Sequence, residues 1–259
     1  MKKPDFVIIG AMKSATSTLH EQLALQPGFF MSTPKEPNFF SDDDIYKLGL
    51  KSYMHSLKLI YVIRHPIERL VSHYIHQWSQ NVIRTDINQA IDEFDELINY
   101  SLYSMQLVPF IEAYGAENIH IAFSEAFRVR PQDELEKVAQ FLNYSNPVIW
   151  YENLPEQNVS SQRIRRFKGY NFVVDHPLLA WLRRNLIPQS LRDAVKNKLT
   201  LKNRPVIDEQ HMQKLTRIFN EDLASLGDLF GVELNLQNYK SKAQSIDVSL
   251  SFYKDKGSI

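Results

Sequence analysis

The sequence predicts an α/β fold in which a doubly wound parallel sheet is flanked by helices and followed by a mostly helical C-terminal part. Short apolar runs rich in β-branched residues recur along the first half, as in buried parallel strands. Helical segments separate these runs, and after Trp150 only loops and helices are indicated. A sheet of this kind binds its ligands at the carboxyl ends of its strands.

The predicted strands are apolar runs that end at glycine, a polar residue or a turn. They are Phe6–Ile9, Phe29–Met31, Lys58–Ile63 and Ile119–Phe123. The run at 58–63 is the clearest of them and passes directly into Arg64, His65 and Pro66.

The predicted helices begin at small, capping or proline residues. The first begins within residues 14–18 and stops before Pro27, and others cover 67–80, 88–99, 102–114, 133–142 and 191–199. Pro66 suits the first turn of the helix 67–80. A last helix follows Asp208, carries apolar residues at three- and four-residue steps, and ends at Gly231.

Composition indicates one large globular domain. The chain has 259 residues, of which 44% are hydrophobic and 23% charged. We expect a core over about 4–150, a helical and basic portion over about 151–240, and a loose tail over 241–259. The absence of cysteine excludes disulfides, Cys-ligated metals and thiol nucleophiles. No apolar run reaches the roughly 18 residues of a membrane span.

The net charge is zero, which argues against a protein that coats nucleic acid. Residues 160–205, however, hold 11 basic and 2 acidic side chains, whereas residues 86–156 hold 3 basic and 13 acidic ones. The basic segment forms either a solvent-exposed surface or a basic surface that faces an anionic ligand. The start of the chain does not resemble a signal peptide, so we expect a cytoplasmic microbial protein of unknown oligomeric state.

The loop between the first strand and the first helix has the composition of an anion-binding loop. It reads Gly10-Ala11-Met12-Lys13-Ser14-Ala15-Thr16-Ser17-Thr18. A helix that follows such a loop directs its backbone N–H groups toward an anion, and Lys13 adds a full charge. The alternative is a turn made of small residues without a ligand.

This loop differs from that of nucleoside triphosphatases, because no glycine directly precedes Lys13. In those enzymes a neighbouring strand ends in a carboxylate that holds magnesium. The corresponding strand here ends in Arg64, which repels a metal and attracts an anion. The sequence therefore predicts a site for phosphate-type groups without a metal.

Three segments resemble sulfotransferases that use 3′-phosphoadenosine 5′-phosphosulfate (PAPS). Phe6–Pro27 is similar to the family's 5′-phosphosulfate loop, and Leu59–Tyr74 is similar to its 3′-phosphate motif. Thr33–Phe40 resembles the connecting K-E-P loop of the heparan-sulfate-type and bacterial branch. Ser101–Leu107 and Ile119–Glu125 match the family more loosely.

The resemblance implies a P-loop-like domain that moves a sulfuryl group in line from PAPS to a hydroxyl or amine, leaving PAP. The implied acceptor is a small molecule or a glycan, and no metal or membrane span is implied. Lys13 matches the catalytic lysine, and Glu36 matches the general base. The donor-binding residues by this resemblance are Lys13, Ser14, Ala15, Thr16, Ser17, Thr18, Arg64, Ser72 and, from a late loop, Arg163.

Other interpretations remain open from the sequence. Glu36 could pair with Lys35 as an ordinary loop carboxylate, and His73 with His76 would need a further ligand to bind a metal. Tyr103 could flank the adenine or belong to the core. A magnesium-dependent nucleotide kinase-like enzyme and a non-catalytic nucleotide-binding module are the alternative functions.

One family element is absent from the sequence. The G-E-x-[ST]-P-x-Y element expected before the 3′-phosphate strand has no counterpart between the K-E-P loop and Lys58. A parallel crossover needs about a dozen residues, and so short a link is unusual. We therefore expect an interruption of the chain between about Tyr53 and Lys58, or otherwise an acceptor site unlike the family's.

Overall fold

The structure, a computed structural model, describes residues 4–35, 57–154 and 203–245. The strands are β1 (Phe6–Gly10), β2 (Lys58–Ile63) and β3 (Ile119–Phe123). The helices are α1 (Thr16–Ala24), α2 (Pro66–Ser79), α3 (Ile87–Glu93), α4 (Glu96–Asn99), α5 (Tyr103–Tyr114), α6 (Ala126–Val129), α7 (Pro131–Phe141), α8 (Glu209–Phe230) and α9 (Tyr239–Ser245). A short 3-10 turn, Ala116–Asn118, precedes β3.

Within the described residues the strands form a parallel sheet in the order β1-β2-β3. The side chains of Leu59, Tyr61 and Ile63 face a core formed with α5, α8 and α9. Those of Ile60 and Val62 face the opposite core, formed with α1 and α7. Helices therefore cover both faces of β2, which confirms the predicted α/β architecture and explains why this strand is apolar throughout.

Strands β2 and β3 have the predicted bounds, but the strand predicted at Phe29–Met31 is wrong. The chain there is irregular. The Phe29 ring packs against Phe6 and Tyr144, with ring centroids 6.0 and 4.7 Å apart. The Phe29 side chain is therefore held by ring packing rather than by strand pairing, while Phe30 is exposed.

The single helix predicted over 88–99 is divided into α3 and α4. Phe94 leaves the helical conformation, with φ −125° and ψ 90°. Its ring packs onto the apolar cluster between α2, α3 and α8. Packing of this partly buried ring therefore overrides helix propensity at one residue.

For the C-terminal helices, the predicted ends of α8 are confirmed and the predicted loose tail is partly wrong. The Asp208 carboxylate accepts a hydrogen bond from the His211 N–H at 2.8 Å and caps α8, and Gly231 ends it with φ 70°, as predicted. Of the tail predicted to be loose over 241–259, residues 241–245 belong to α9, because Tyr239 and Ala243 are buried in the core, and residues 246–259 lie outside the described ranges.

Several predictions fall on residues outside the described ranges and stay predictions. They concern the helix at 191–199, the basic segment except for its last residues, and the link between Tyr53 and Ser56. The organisation as one domain also stays a prediction. Among the helices of the described ranges, none is long and apolar enough to cross a bilayer.

Candidate active site

The loop between β1 and α1 has an unusual backbone that its sequence permits. A side chain at Gly10 would place Cβ 3.1 Å from the Tyr61 ring, at a φ of 149° that other residues rarely adopt. Lys13 and Ala15 are left-handed, with φ values of 69° and 67°. Left-handed residues in such loops are typical of backbones whose successive N–H groups converge on an anion. Holding a non-glycine residue in the left-handed conformation costs roughly 1–2 kcal/mol. Such strained residues cluster at functional sites.

The first turn of α1 faces this loop without a side-chain cap. The residue at the capping position is Ala15, which has no hydrogen-bonding group. The N–H groups of the turn and the positive end of the helix dipole therefore remain suited to an anionic ligand.

Lys35 completes this end of the site, a role that the sequence did not assign to it. Its Nζ donates to Thr16 Oγ1 at 3.2 Å and to Ser17 Oγ at 3.0 Å. The loop that follows residue 31 is thereby held against α1. In the sequence, Lys35 is marked only by its position one residue before Glu36, which suggests an ion pair rather than a contact with α1.

Arg64 links this loop to the end of β2. Its Nη1 donates to the Lys13 carbonyl oxygen at 3.4 Å, and its Nη2 donates to Glu68 Oε2 at 3.1 Å. Its Nε is buried and has no hydrogen-bond partner. Ser14 Oγ is also buried and approaches the Tyr103 hydroxyl without a bond of ordinary geometry. Two buried donors at the same site, Arg64 Nε and Ser14 Oγ, therefore lack an ordinary hydrogen-bond acceptor.

Tyr103 fixes the backbone of Arg64. Its hydroxyl donates to the Arg64 carbonyl oxygen at 2.6 Å and accepts from the Arg64 N–H at 3.3 Å. The ring is fully buried, and burial raises the pKa of the hydroxyl. Tyr103 is therefore a core residue that positions Arg64 and does not flank a ligand.

His65 packs beside Arg64 in a structural role. Its backbone N–H donates to Glu125 Oε1 at 2.9 Å, and its ring Nε2 lies 3.3 Å from the Leu236 carbonyl oxygen. Burial lowers the pKa of His65 and raises that of Glu125. The imidazole is therefore held neutral against the C-terminal segment.

His73 is also an interior residue. Its Nδ1 lies 3.4 Å from the buried Arg69 Nη1, and its ring stacks on Tyr100 at 5.5 Å. Burial and the Arg69 charge lower the pKa of His73 to about 3. Within the described ranges, no group of three or more His, Asp or Glu side chains is arranged to hold a metal.

The predicted site residues fall into three groups. Lys13 and the segment Ser14–Thr18 lie at the start of α1, and Arg64 lies beside them at the end of β2. Ser72 is partly buried about two turns into α2, the helix that starts just after Arg64. Glu36 and Arg163 lie outside the described residues.

The chain is similar to known sulfotransferases. Heparan sulfate glucosamine 3-O-sulfotransferase 5 of mouse (Mus musculus) and human (Homo sapiens) is 22% identical over 188 residues, with 54% of this chain and 53% of the relative covered. Carbohydrate sulfotransferase 15 of mouse is 26% identical over 167 residues, with 54% of this chain and 28% of the relative covered. The chain thus spans about half, or less, of the length of these relatives.

A crystal structure of a sulfotransferase from Alicyclobacillus acidocaldarius shares the fold. Its TM-score is 0.59 at 16% identity, with 90% of this chain and 98% of that chain covered. The sequence profile of the Sulfotransferase domain family matches residues 31–227 and so begins after the loop that carries Lys13. Because this match spans more than half of the sequence, the chain belongs to the sulfotransferase family.

Proposed function

We propose that the protein transfers a sulfuryl group from PAPS to a hydroxyl or amine of a carbohydrate-like acceptor. The observation that carries the proposal is the contact between Arg64 Nη1 and the Lys13 carbonyl oxygen at 3.4 Å. It joins an anion-binding loop to a cation at a neighbouring strand end. A nucleotide with phosphate groups at both its 5′ and its 3′ end needs two such cationic positions at a fixed separation.

The described residues suit such a donor at its 5′ end. Lys13 and Lys35 bring two positive charges to the loop, and the uncapped turn of α1 adds backbone donors. The buried Ser14 Oγ and Arg64 Nε lack partners of ordinary geometry, as expected for donors that serve an anionic oxygen.

The chemistry requires stabilisation of charge rather than a covalent step on the protein. PAPS supplies the sulfuryl group and the leaving phosphate. We propose that Lys13 and the first N–H groups of α1 stabilise the negative charge that develops on the leaving oxygen. We further propose Glu36 as the general base for the acceptor, and Arg64 with Ser72 and Arg163 as the 3′-phosphate site.

The acceptor class is proposed from the relatives. Two of them are named for heparan sulfate glucosamine and one for carbohydrate. A sugar hydroxyl or amine is a weak nucleophile, so a base near it would raise the rate by roughly 100- to 10,000-fold.

Calorimetric titration with PAP in the presence of a chelator tests the donor. We expect binding to be unaffected by the chelator, and labelled PAPS should then transfer its sulfuryl group in a screen of glycans. Binding that requires magnesium would contradict the proposal and favour a kinase-like phosphotransferase. PAP binding without transfer to any acceptor would favour a non-catalytic module.

Substitution of Glu36 tests the base. Glu36→Gln should lower kcat by roughly 100-fold or more, because the proposed base takes the proton of the acceptor. The PAP dissociation constant should stay nearly unchanged, because no acceptor takes part in PAP binding. Unchanged kcat would assign the base to another residue.

A further inference from the structure

The C-terminal helix α9 is fixed against the first turn of α2. The Leu236 carbonyl oxygen lies 3.3 Å from His65 Nε2, and the buried Tyr239 ring meets the His65 ring edge to face at 5.6 Å. Lys240 Nζ lies 2.5 Å from Glu68 Oε1. These three contacts fall within five consecutive residues, so packing of Tyr239 in the core places the backbone that carries Lys240 beside Glu68.

Glu68 lies between two cations. Its Oε2 accepts from Arg64 Nη2 at 3.1 Å, while its Oε1 contacts Lys240. The Glu68 side chain is 20% exposed, and that of Lys240 is 57% exposed. Burial raises the pKa of Glu68, but hydrogen bonds from Lys240 and Arg64 outweigh it and bring the pKa to about 2. The carboxylate is therefore ionised throughout the neutral range.

An ionised carboxylate beside Arg64 opposes the binding of an anion. Arg64 and Glu68 together carry no net charge, and the carboxylate repels a phosphate that approaches the guanidinium. Lys240 restores a net charge of +1 to the three residues. It also holds the second oxygen of Glu68, so Arg64 Nε stays free of the carboxylate.

We infer that Lys240 is a positioning residue for recognition of the donor's 3′-phosphate, acting through Glu68 on Arg64. This inference rests on the proposed function. Residues 64, 68 and 240 then form one unit in which a lysine of α9 sets the charge of the anion site. The unit favours a 3′-phosphorylated nucleotide over one that lacks this group.

The test compares two lysines of α9 and two nucleotides. Lys240→Ala removes the contact to Glu68, and Lys242→Ala removes an exposed lysine two residues away as the control. Each variant is titrated with PAP and with adenosine 5′-phosphosulfate, which lacks the 3′-phosphate. We expect Lys240→Ala to raise the PAP dissociation constant roughly three- to tenfold at low ionic strength, with the difference shrinking in salt. The 5′-phosphosulfate and the control variant should show no change.

The double variant Glu68→Gln with Lys240→Ala decides how Lys240 acts. If Lys240 works through Glu68, Lys240→Ala weakens PAP binding much less in the Glu68→Gln background than in the wild type. An equal loss in both backgrounds would overturn this mechanism in favour of direct contact with the ligand. Equal weakening of both nucleotides would overturn it in favour of a general packing role.

The outcomes also separate the inference from the proposed function. If the wild-type protein does not bind PAP, the proposed function fails. If it binds PAP and Arg64→Ala weakens that binding, but Lys240→Ala behaves like Lys242→Ala, the inference fails while the proposed function stands. Thermal unfolding of each variant checks that the exposed Lys240 can be replaced without loss of the fold.

Discussion

Arg64 donates a hydrogen bond from Nη1 to the carbonyl oxygen of Lys13 at 3.4 Å, across the edge where β1 and β2 end. The two residues lie 51 positions apart in the sequence, and the parallel pairing of β1 with β2 brings them together. Their contact fixes the distance between the loop at α1 and the cation at β2. Substitutions at these positions should therefore affect different ends of one ligand.

Lys13→Ala is expected to lower kcat by roughly 100-fold or more and to change the PAP dissociation constant far less. The reason is that PAP lacks the transferring group, which the Lys13 charge is proposed to stabilise. Steady-state kinetics with PAPS and calorimetry with PAP measure the two quantities. Lys214→Ala, on the surface of α8 where Lys214 Nζ pairs with Asp92, should change neither. Equal losses in kcat and affinity would show that Lys13 only binds the nucleotide.

Arg64→Ala is expected to weaken PAP and PAPS alike. A hydrogen bond to a charged group contributes about 1.5–3 kcal/mol, which corresponds to roughly a 10- to 150-fold rise in the dissociation constant. The substitution leaves Glu68 paired with Lys240, so the local charge also becomes less favourable for an anion. Calorimetry measures both ligands. A variant that still binds PAP like the wild type would place the 3′-phosphate elsewhere.

His211 should make stability depend on pH. Its Nδ1 lies 2.7 Å from Asp208 Oδ1 and its Nε2 lies 3.1 Å from Asp92 Oδ2, and these bonds raise its pKa above the ordinary value of 6.5. Because the folded state holds the proton more tightly, this stabilisation is complete below the unfolded pKa. It is lost as the pH rises through the higher folded pKa.

Urea denaturation of the wild type and His211→Gln at about pH 6 and about pH 9 measures this effect. The wild type should be the more stable protein at the lower pH, and the difference should shrink at the higher one. A difference that stays constant or grows with pH would contradict the assignment.

Gly227→Ala should destabilise the end of α8. A Cβ there would lie 2.4 Å from the Val232 carbonyl oxygen and 3.1 Å from the Leu234 N, both of which are backbone atoms. Forcing them apart should cost about 1–3 kcal/mol of unfolding free energy. The exposed Ser225→Ala on the same helix is the control and should change stability by less than about 0.5 kcal/mol. Equal unfolding midpoints for the two variants would show that the chain relaxes there without cost.

Local patterns were sufficient for much of the fold. The β-branched run at Lys58–Ile63 and its passage into Pro66 predicted β2 and α2, because each signal lies within a few residues. The Arg64–Glu68 pair has i, i+4 spacing and could also have been predicted from the sequence. The failures at Phe29 and Phe94 have one cause, which is that a partly buried aromatic ring packs against residues distant in the sequence and overrides local propensity.

The sequence by itself determined the order of strands and helices, the loop that carries Lys13 and the cation that ends β2, because these depend on neighbouring residues. Only the tertiary structure decided that Lys35 contacts the start of α1, that Tyr103 holds the backbone of Arg64 and that Lys240 reaches Glu68. The last contact joins residues 172 positions apart. No local pattern encodes such a contact, because it arises when packing of Tyr239 in the core brings α9 against α2.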